Sequence, residues 1–147
     1  MKKTKSATPC LGICSTTYGD DVCRGCKRFV HEVINWTTYN EAEKINVNTR
    51  LESFKVTVLK EKFFVYDSEV LANQLHTYSI SFNDSLDPLT WIFDLLRASG
   101  SQDLDIDKFG ISIHLDYSSY SLGELKELIN KELFELSQAH YDRYFSI

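Results

Sequence analysis

All four cysteines of the chain lie in one short segment near its start, at Cys10, Cys14, Cys23 and Cys26. Their spacing, C-x3-C-x8-C-x2-C, gives two close pairs joined by a short loop. Two tight turns of this kind can bring four thiolates around one tetrahedral metal ion. We therefore predict that the four cysteines are ligands of one metal centre. Residues 9–27 contain little apolar material, so metal binding is expected to supply the stability of this segment.

The number of sulfur ligands does not choose between zinc and an iron–sulfur cluster, because both accept four thiolates. Two short chelate loops, and the lack of a ferredoxin-type spacing, favour Zn2+. A metal-free redox pair at Cys23 and Cys26 is a third alternative, but it leaves Cys10 and Cys14 without a role. A four-thiolate zinc site is closed, so a zinc centre would be structural rather than catalytic.

Charge is spread unevenly along the chain. The net charge is −5, but the first 35 residues are net positive by three and the remainder is strongly acidic. Arg24, Lys27 and Arg28 surround the ligands and would offset the negative charge of four thiolates around a metal. The alternative is that these three residues and the lysines at positions 2, 3 and 5 contact nucleic acid. The acidic remainder is a poor candidate for such contacts.

The expected location is the cytoplasm. No apolar run follows the basic residues at the start, as a secretory signal requires, and no stretch approaches the roughly 20 apolar residues of a membrane span. Thiols stay reduced in the cytosol, so a metal is a better partner for the cysteines than disulfide formation.

Hydrophobic periodicity and capping residues predict an α+β fold, with helices packed on a small, mainly antiparallel sheet. The predicted helices cover residues 28–38, Asn40 to about Phe54, Asp67 or Ser68 to about His76, Asp87 to Gly100, and Ser121 to about Tyr144. The predicted strands cover residues 55–59, 63–66, 78–82 and 111–117. Asn40 with Glu43, and Ser121 with Glu124, are predicted capping boxes. The buried stripe of the last helix is expected to contain Leu122, Leu125, Ile129, Leu133, Leu136 and His140.

These elements predict three parts. Residues 1–8 form a flexible basic tail. Residues 9–54, here called the head, form a four-cysteine metal-binding module that is mostly loop plus two helices. Residues 55–147, here called the body, form an α+β domain of unknown role.

The head also carries a family resemblance. Pro9-Cys10, Ile13-Cys14, the run from Cys23 to Arg28, and Glu32 with Trp36 resemble a bacterial family of short cysteine-rich domains of unknown function. Members of that family are often described as predicted iron–sulfur proteins. The resemblance covers about residues 8–52 and implies that Cys10, Cys14, Cys23 and Cys26 are the metal ligands. Members of the family end soon after the second helix, so the resemblance implies nothing about the body.

The functional expectation is a small metal-binding protein that interacts with a protein partner. An iron–sulfur electron-transfer or cluster-sensing protein is the first alternative, and a nucleic-acid-binding accessory protein is the second. A hydrolase or transferase with its active site in the body is the least favoured alternative, because the sequence offers no recognisable set of acid, base and nucleophile. No small-molecule substrate and no membrane contact are indicated.

Overall fold

A computed structural model describes residues 3–12, 14–99 and 104–145 of the chain. Five α-helices and one two-stranded sheet lie in this part. In chain order the elements are α1 (Val30–Asn35), α2 (Glu41–Leu59), β1 (Phe63–Val65), α3 (Ser68–Thr77), α4 (Pro88–Ser99), β2 (Ile111–Ile113) and α5 (Leu122–Tyr144). Short 3-10 helices cover Ser15–Tyr18, Trp36–Thr38, Ile106–Phe109 and Leu115–Tyr117. The predicted α+β class is confirmed.

Side-chain caps begin the longer helices as predicted. Asn40 accepts the backbone N–H of Glu43 at 2.8 Å, and the Glu43 carboxylate accepts the N–H of Asn40 at 3.1 Å. Ser121 and Glu124 form the same reciprocal pair at the start of α5. Such pairs satisfy two backbone donors that the first turn of a helix leaves unpaired.

The sheet is antiparallel, as predicted, but it is smaller than expected. Phe63 pairs with Ile113 and Val65 with Ile111. The predicted strand over residues 111–117 ends at Ile113, because the chain turns into the 3-10 helix that begins at Leu115.

Two predicted strands are wrong. Residues 55–59 continue α2, and this extension buries Val58 and Leu59 in the core. Burial of two large apolar side chains outweighs the weak strand preference of the β-branched residues in this segment. Residues 78–82 form no strand: Ser79 adopts a positive φ of 56° directly after α3, and Phe82 turns inward onto Trp91, with ring centroids 5.0 Å apart.

The main core lies between α2, α4 and α5, with the sheet and α3 at one side. Its fully buried residues include Leu59, Leu71, Ile92, Ile111, Leu125 and Ile129. On α5, Leu122, Leu125, Ile129 and Leu133 are buried as predicted, whereas Leu136 and His140 are only half-buried. Because α2 continues from the head into this core, one helix crosses the predicted boundary between residues 54 and 55.

Residues 3–8 lie against α2 and the segment that follows α3. The amide nitrogen of Asn48 donates to the carbonyls of Lys5 and Ala7, and that of Asn83 donates to the carbonyl of Thr4. The predicted tail also includes residues 1 and 2, which lie outside the described residues. Within the described part of the chain, no helix has the length and apolar character needed to cross a membrane.

Candidate metal centre

Cys23 and Cys26 lie in one tight turn and are both buried. The N–H of Cys23 donates to the carbonyl of Arg28 at 2.9 Å, and the N–H of Lys27 donates to the carbonyl of Cys23 at 2.9 Å. Lys27 adopts a positive φ of 68°, a conformation that a residue with a side chain rarely takes. The strained position lets the chain reverse directly after the second cysteine of the pair.

Hydrogen bonds make the Cys23 sulfur a favourable site for negative charge. Burial pushes the pKa of the Cys23 thiol upward, but bonds from the backbone of Cys26, Ser15 and Gly25 outweigh it, and the pKa lies below its ordinary value. A hydrogen bond from the Cys26 thiol also lowers the pKa of the Cys23 thiol. The pKa of the Cys26 thiol is raised, because burial is the largest influence on it and outweighs the hydrogen bond that Arg28 Nε donates to the sulfur at 3.2 Å.

The first cysteine pair is more open than the second. Cys14 is half-buried and lies within hydrogen-bonding distance of Thr16 Oγ1, at 2.9 Å, a contact that lowers the pKa of its thiol. A negative charge on Cys23 raises the pKa of the Cys14 thiol, so these two sulfurs are electrostatically coupled. Ser15 joins the two turns, because its Oγ accepts the N–H of Arg24 at 2.8 Å. Cys10 is exposed, and its Sγ accepts the N–H of Gly12 at 3.4 Å.

The structure therefore brings the sulfurs of Cys23 and Cys26 together, and Ser15 links their turn to the one that carries Cys14. In residues 3–12, 14–99 and 104–145 it contains no group of three or more His, Cys, Asp or Glu side chains placed to hold a metal ion. The chemistry of the donors does fit such an ion: backbone N–H groups converge on the Cys23 sulfur, and they stabilise the thiolate form that binds metals. The four-cysteine centre and its metal stay a prediction.

A layer of charged and aromatic side chains surrounds the second cysteine pair. The guanidinium of Arg28, bonded to Cys26, also lies over the ring of Trp36, with 4.9 Å between Cζ and the ring centroid. Glu32 is buried and accepts the N–H of Phe29 at 2.8 Å. The motif residues Arg28, Glu32 and Trp36 thus support the turn that carries Cys23 and Cys26.

Sequence reasoning missed two partners of this layer. Arg50 on α2 donates to both carboxylate oxygens of Glu32, at 2.5 and 2.7 Å, and its guanidinium lies 4.0 Å from the centroid of the Phe29 ring. Asn130 on α5 accepts a hydrogen bond from the Lys27 ammonium at 3.1 Å. A buried acidic residue in the motif implies a cationic partner, but nothing local identifies Arg50 or Asn130.

The three basic residues of the turn have different environments. Lys27 and Arg28 are only 4% and 5% exposed. The Lys27 ammonium donates to the carbonyls of Arg24 and Gly25, and burial together with the charge of Lys55 lowers its pKa to about 8. Arg24 is exposed, pairs with Asp20 at 3.2 Å and lies over Phe134. Only Arg24 of the three has a side chain that solvent reaches freely.

The comparisons with known proteins find a similarity for the cysteine-containing part of the chain. A family model described as a protein of unknown function (DUF1289) matches residues 8–55. The match confirms the predicted resemblance, extends it three residues along α2, and covers less than half of the chain. No curated protein and no solved structure matches the chain significantly.

Proposed function

We propose that the head is a metal-binding module in which Cys10, Cys14, Cys23 and Cys26 hold a single Zn2+ as a structural centre. The observation that carries this proposal is the set of N–H donors around Cys23, which favours a thiolate at a buried position. A buried thiolate without a cation would be costly. A bound divalent ion would remove that cost and would draw the exposed Cys10 toward the other three sulfurs.

The proposal also assigns the head a role in contacting a protein partner. Tyr18, between the two cysteine pairs, is 90% exposed, and Ile34 on α1 is 71% exposed. Tyrosine is enriched at protein interfaces because a rigid ring buries a large area at a low cost in side-chain entropy. A metal-stabilised loop would hold Tyr18 in a fixed position for such a contact. The proposed compartment is the cytosol, whose reducing conditions keep the four thiols available for metal.

The nucleic-acid alternative is less well supported than the protein-partner reading. Burial of Lys27 and Arg28 removes two of the three cations beside the cysteines from reach of a phosphate backbone. Non-specific binding needs several such contacts, and Arg24 with the lysines at the start of the chain would supply few of them.

Metal analysis of anaerobically purified protein tests the proposed zinc centre. We expect one equivalent of zinc and a colourless sample, whereas a brown sample containing iron and sulfide would favour the cluster alternative. Replacement of zinc by Co2+ then counts the sulfur ligands, because the charge-transfer absorption grows with the number of thiolates. Cys10→Ser should lower this absorption without abolishing binding. An unchanged spectrum would exclude Cys10 as a ligand, and cysteines paired as disulfides would contradict the whole proposal.

Cross-linking followed by mass spectrometry tests whether the head contacts a protein partner. Tyr18→Ala should lose the cross-linked partner while the zinc content stays at one equivalent. Leu115→Ala is the matched control, since Leu115 is 87% exposed but lies in the body. Equal loss of the partner in both variants would argue against a specific contact through the head.

A further inference from the structure

A cationic cavity opens where the head meets the body. Its volume is about 280 Å3. The residues that concern its chemistry come from the cysteine turn, α4 and α5, and are Arg24, Phe93, Arg97, Lys126 and Asn130. Three of the residues that line it are cations and none is a carboxylate, in a chain whose net charge is −5. The folded chain thus gathers cations from distant positions into one small space.

Ion pairs inside the protein only partly neutralise this cluster. Arg24 pairs with Asp20 at the surface. The carboxylate of Asp94 interacts electrostatically with the half-buried Lys55, with Arg97 and with Lys3, so one negative charge is shared by three cations. Within the described residues, Lys126 forms no ion pair. Like charges held close together repel, and an anion bound among them would relieve that repulsion.

Asn130 adds a neutral donor to the same wall. The Lys27 ammonium can donate hydrogen bonds but cannot accept them, so the atom of Asn130 that faces it at 3.1 Å must be the amide oxygen. The amide nitrogen is then the group that Asn130 can offer to a ligand. The Arg97 guanidinium, the Lys126 ammonium and the Asn130 amide together suit the several oxygens of a tetrahedral anion. The Arg24 guanidinium, by contrast, is held by Asp20 and lies over Phe134.

We propose that this cavity binds the phosphate group of a small phosphorylated organic molecule. Its volume lies near the lower end of typical ligand pockets. The ring of Phe93 and the side chain of Leu11 supply apolar surface for the organic part. A nucleic acid is disfavoured, because the adjacent cavity offers little unpaired positive charge: its cations Arg24 and Lys131 are offset by the carboxylates of Glu127 and Glu135. A polyanion that continued beyond one phosphate would find few further cations there.

Isothermal titration of the full-length protein with glycerol 3-phosphate tests the proposal, with neutral glycerol as the ligand control. We expect saturable binding of the phosphate ester only, weakened by added salt. Arg97→Gln and Lys126→Gln should each weaken binding about tenfold, the effect of losing one charge-assisted hydrogen bond. Lys131→Gln is the matched control: Lys131 lies on α5 and loses the same charge, but it lines the adjacent cavity and pairs with Glu135.

The outcomes separate clearly. Binding that is lost in the Arg97 and Lys126 variants but kept in Lys131→Gln supports the site. Absence of saturable binding by the wild-type protein, or equal weakening in all three variants, overturns it. So does binding of a short single-stranded RNA that Arg97→Gln and Lys126→Gln both weaken but that glycerol 3-phosphate does not displace. If one cavity variant does not unfold cooperatively, the other carries the same test, since the two side chains lie on different helices.

Discussion

The ion pair between Glu32 and Arg50 is expected to be the strongest single tie between α1 and α2. In the variant Glu32→Gln, the amide oxygen can still accept the N–H of Phe29, but the amide nitrogen replaces an oxygen that accepts from Arg50. The change therefore removes the ion pair and keeps the volume and the helix cap. It leaves the Arg50 guanidinium facing an amide at a position where solvent has little access.

The expected magnitude follows from burial and geometry. The side chains of Glu32 and Arg50 are 7% and 17% exposed, and both oxygens of the carboxylate are used. Removing one partner of a buried pair typically costs about 3–5 kcal/mol. Arg50 retains its contact with the Phe29 ring and some solvent, so the cost should lie at or just below the lower limit of that range, at about 2–3 kcal/mol.

Glu43→Gln is the matched control. Glu43 performs the same capping role at the start of α2, but it is exposed and accepts only the N–H of Asn40. Its replacement should cost no more than about 1 kcal/mol, the range of a capping interaction. The difference between the two variants then measures the buried ion pair separately from the cap.

Urea denaturation followed by circular dichroism gives both free energies of unfolding, provided that the slope with urea is unchanged. The reasoning is refuted if Glu32→Gln and Glu43→Gln shift the midpoint equally. It is also refuted if Arg50→Met, which leaves the buried Glu32 without its partner, has no effect on stability.

Three further predictions concern other parts of the chain. The fully buried Lys62 ammonium pairs with Glu132 at 2.7 Å, so Glu132→Ala should destabilise the protein by about 2–4 kcal/mol. Lys62→Met should cost less in the same urea assay, because Glu132 can reach solvent; the reverse order would contradict this assignment. Burial, followed by the charge of Arg50, lowers the pKa of His140 below its ordinary value of 6.5, so the unfolded chain takes up the proton first and stability should fall as pH drops below about 6.5. His140→Gln should flatten that fall between pH 7 and 5, and an unchanged pH profile would exclude His140 as its source. Cys26→Ser should remove hydrogen-exchange protection from residues 9–27 while most of the body keeps it, and loss of protection throughout would show that the two parts unfold together.

Features encoded by neighbouring residues were predictable from the sequence. The capping boxes at Asn40 and Ser121 need residues three positions apart, and both are present. The apolar stripe of α5 has a regular helical period, and Leu125 and Ile129 are fully buried as that period indicates. In each case the determining interaction lies within the segment itself.

Features that depend on distant residues were not predictable. The end of α2 looked like a strand because Val56 and Val58 are β-branched, yet the core of the body decides its conformation. A run of basic residues normally indicates a solvent-exposed surface, but Lys27 is buried because Asn130, 103 positions away, supplies a partner. The cysteine spacing made the candidate ligands evident, whereas the cavity that contains Arg97 and Lys126 exists only after α4 and α5 meet the cysteine turn.

The stability of the head should depend on the body more than the stability of the body depends on the head. The main core is built from residues of α2, α3, α4, α5 and the sheet, and Leu11 is the head residue outside α2 that packs against it. In the head, by contrast, the Phe29 ring contacts His140, Tyr141 and Phe145 at the end of the chain, with centroid distances of 5.7, 5.4 and 5.3 Å. The head residues that precede α2 therefore add little to the core of the body, whereas α2 belongs to both parts.

A fragment of residues 1–59 makes this asymmetry testable. It would expose Leu51, Val58 and Leu59, each about 1.5–3 kcal/mol of lost burial, and would leave Phe29 without its ring contacts at the end of the chain. Such a loss is comparable to the whole stability of a small domain. We therefore expect the fragment to bind zinc at its cysteines but to show no cooperative thermal unfolding. A zinc-loaded fragment that unfolds cooperatively near the midpoint of the full chain would mean that the metal alone specifies the head, and that the aromatic contacts with α5 contribute little to its stability.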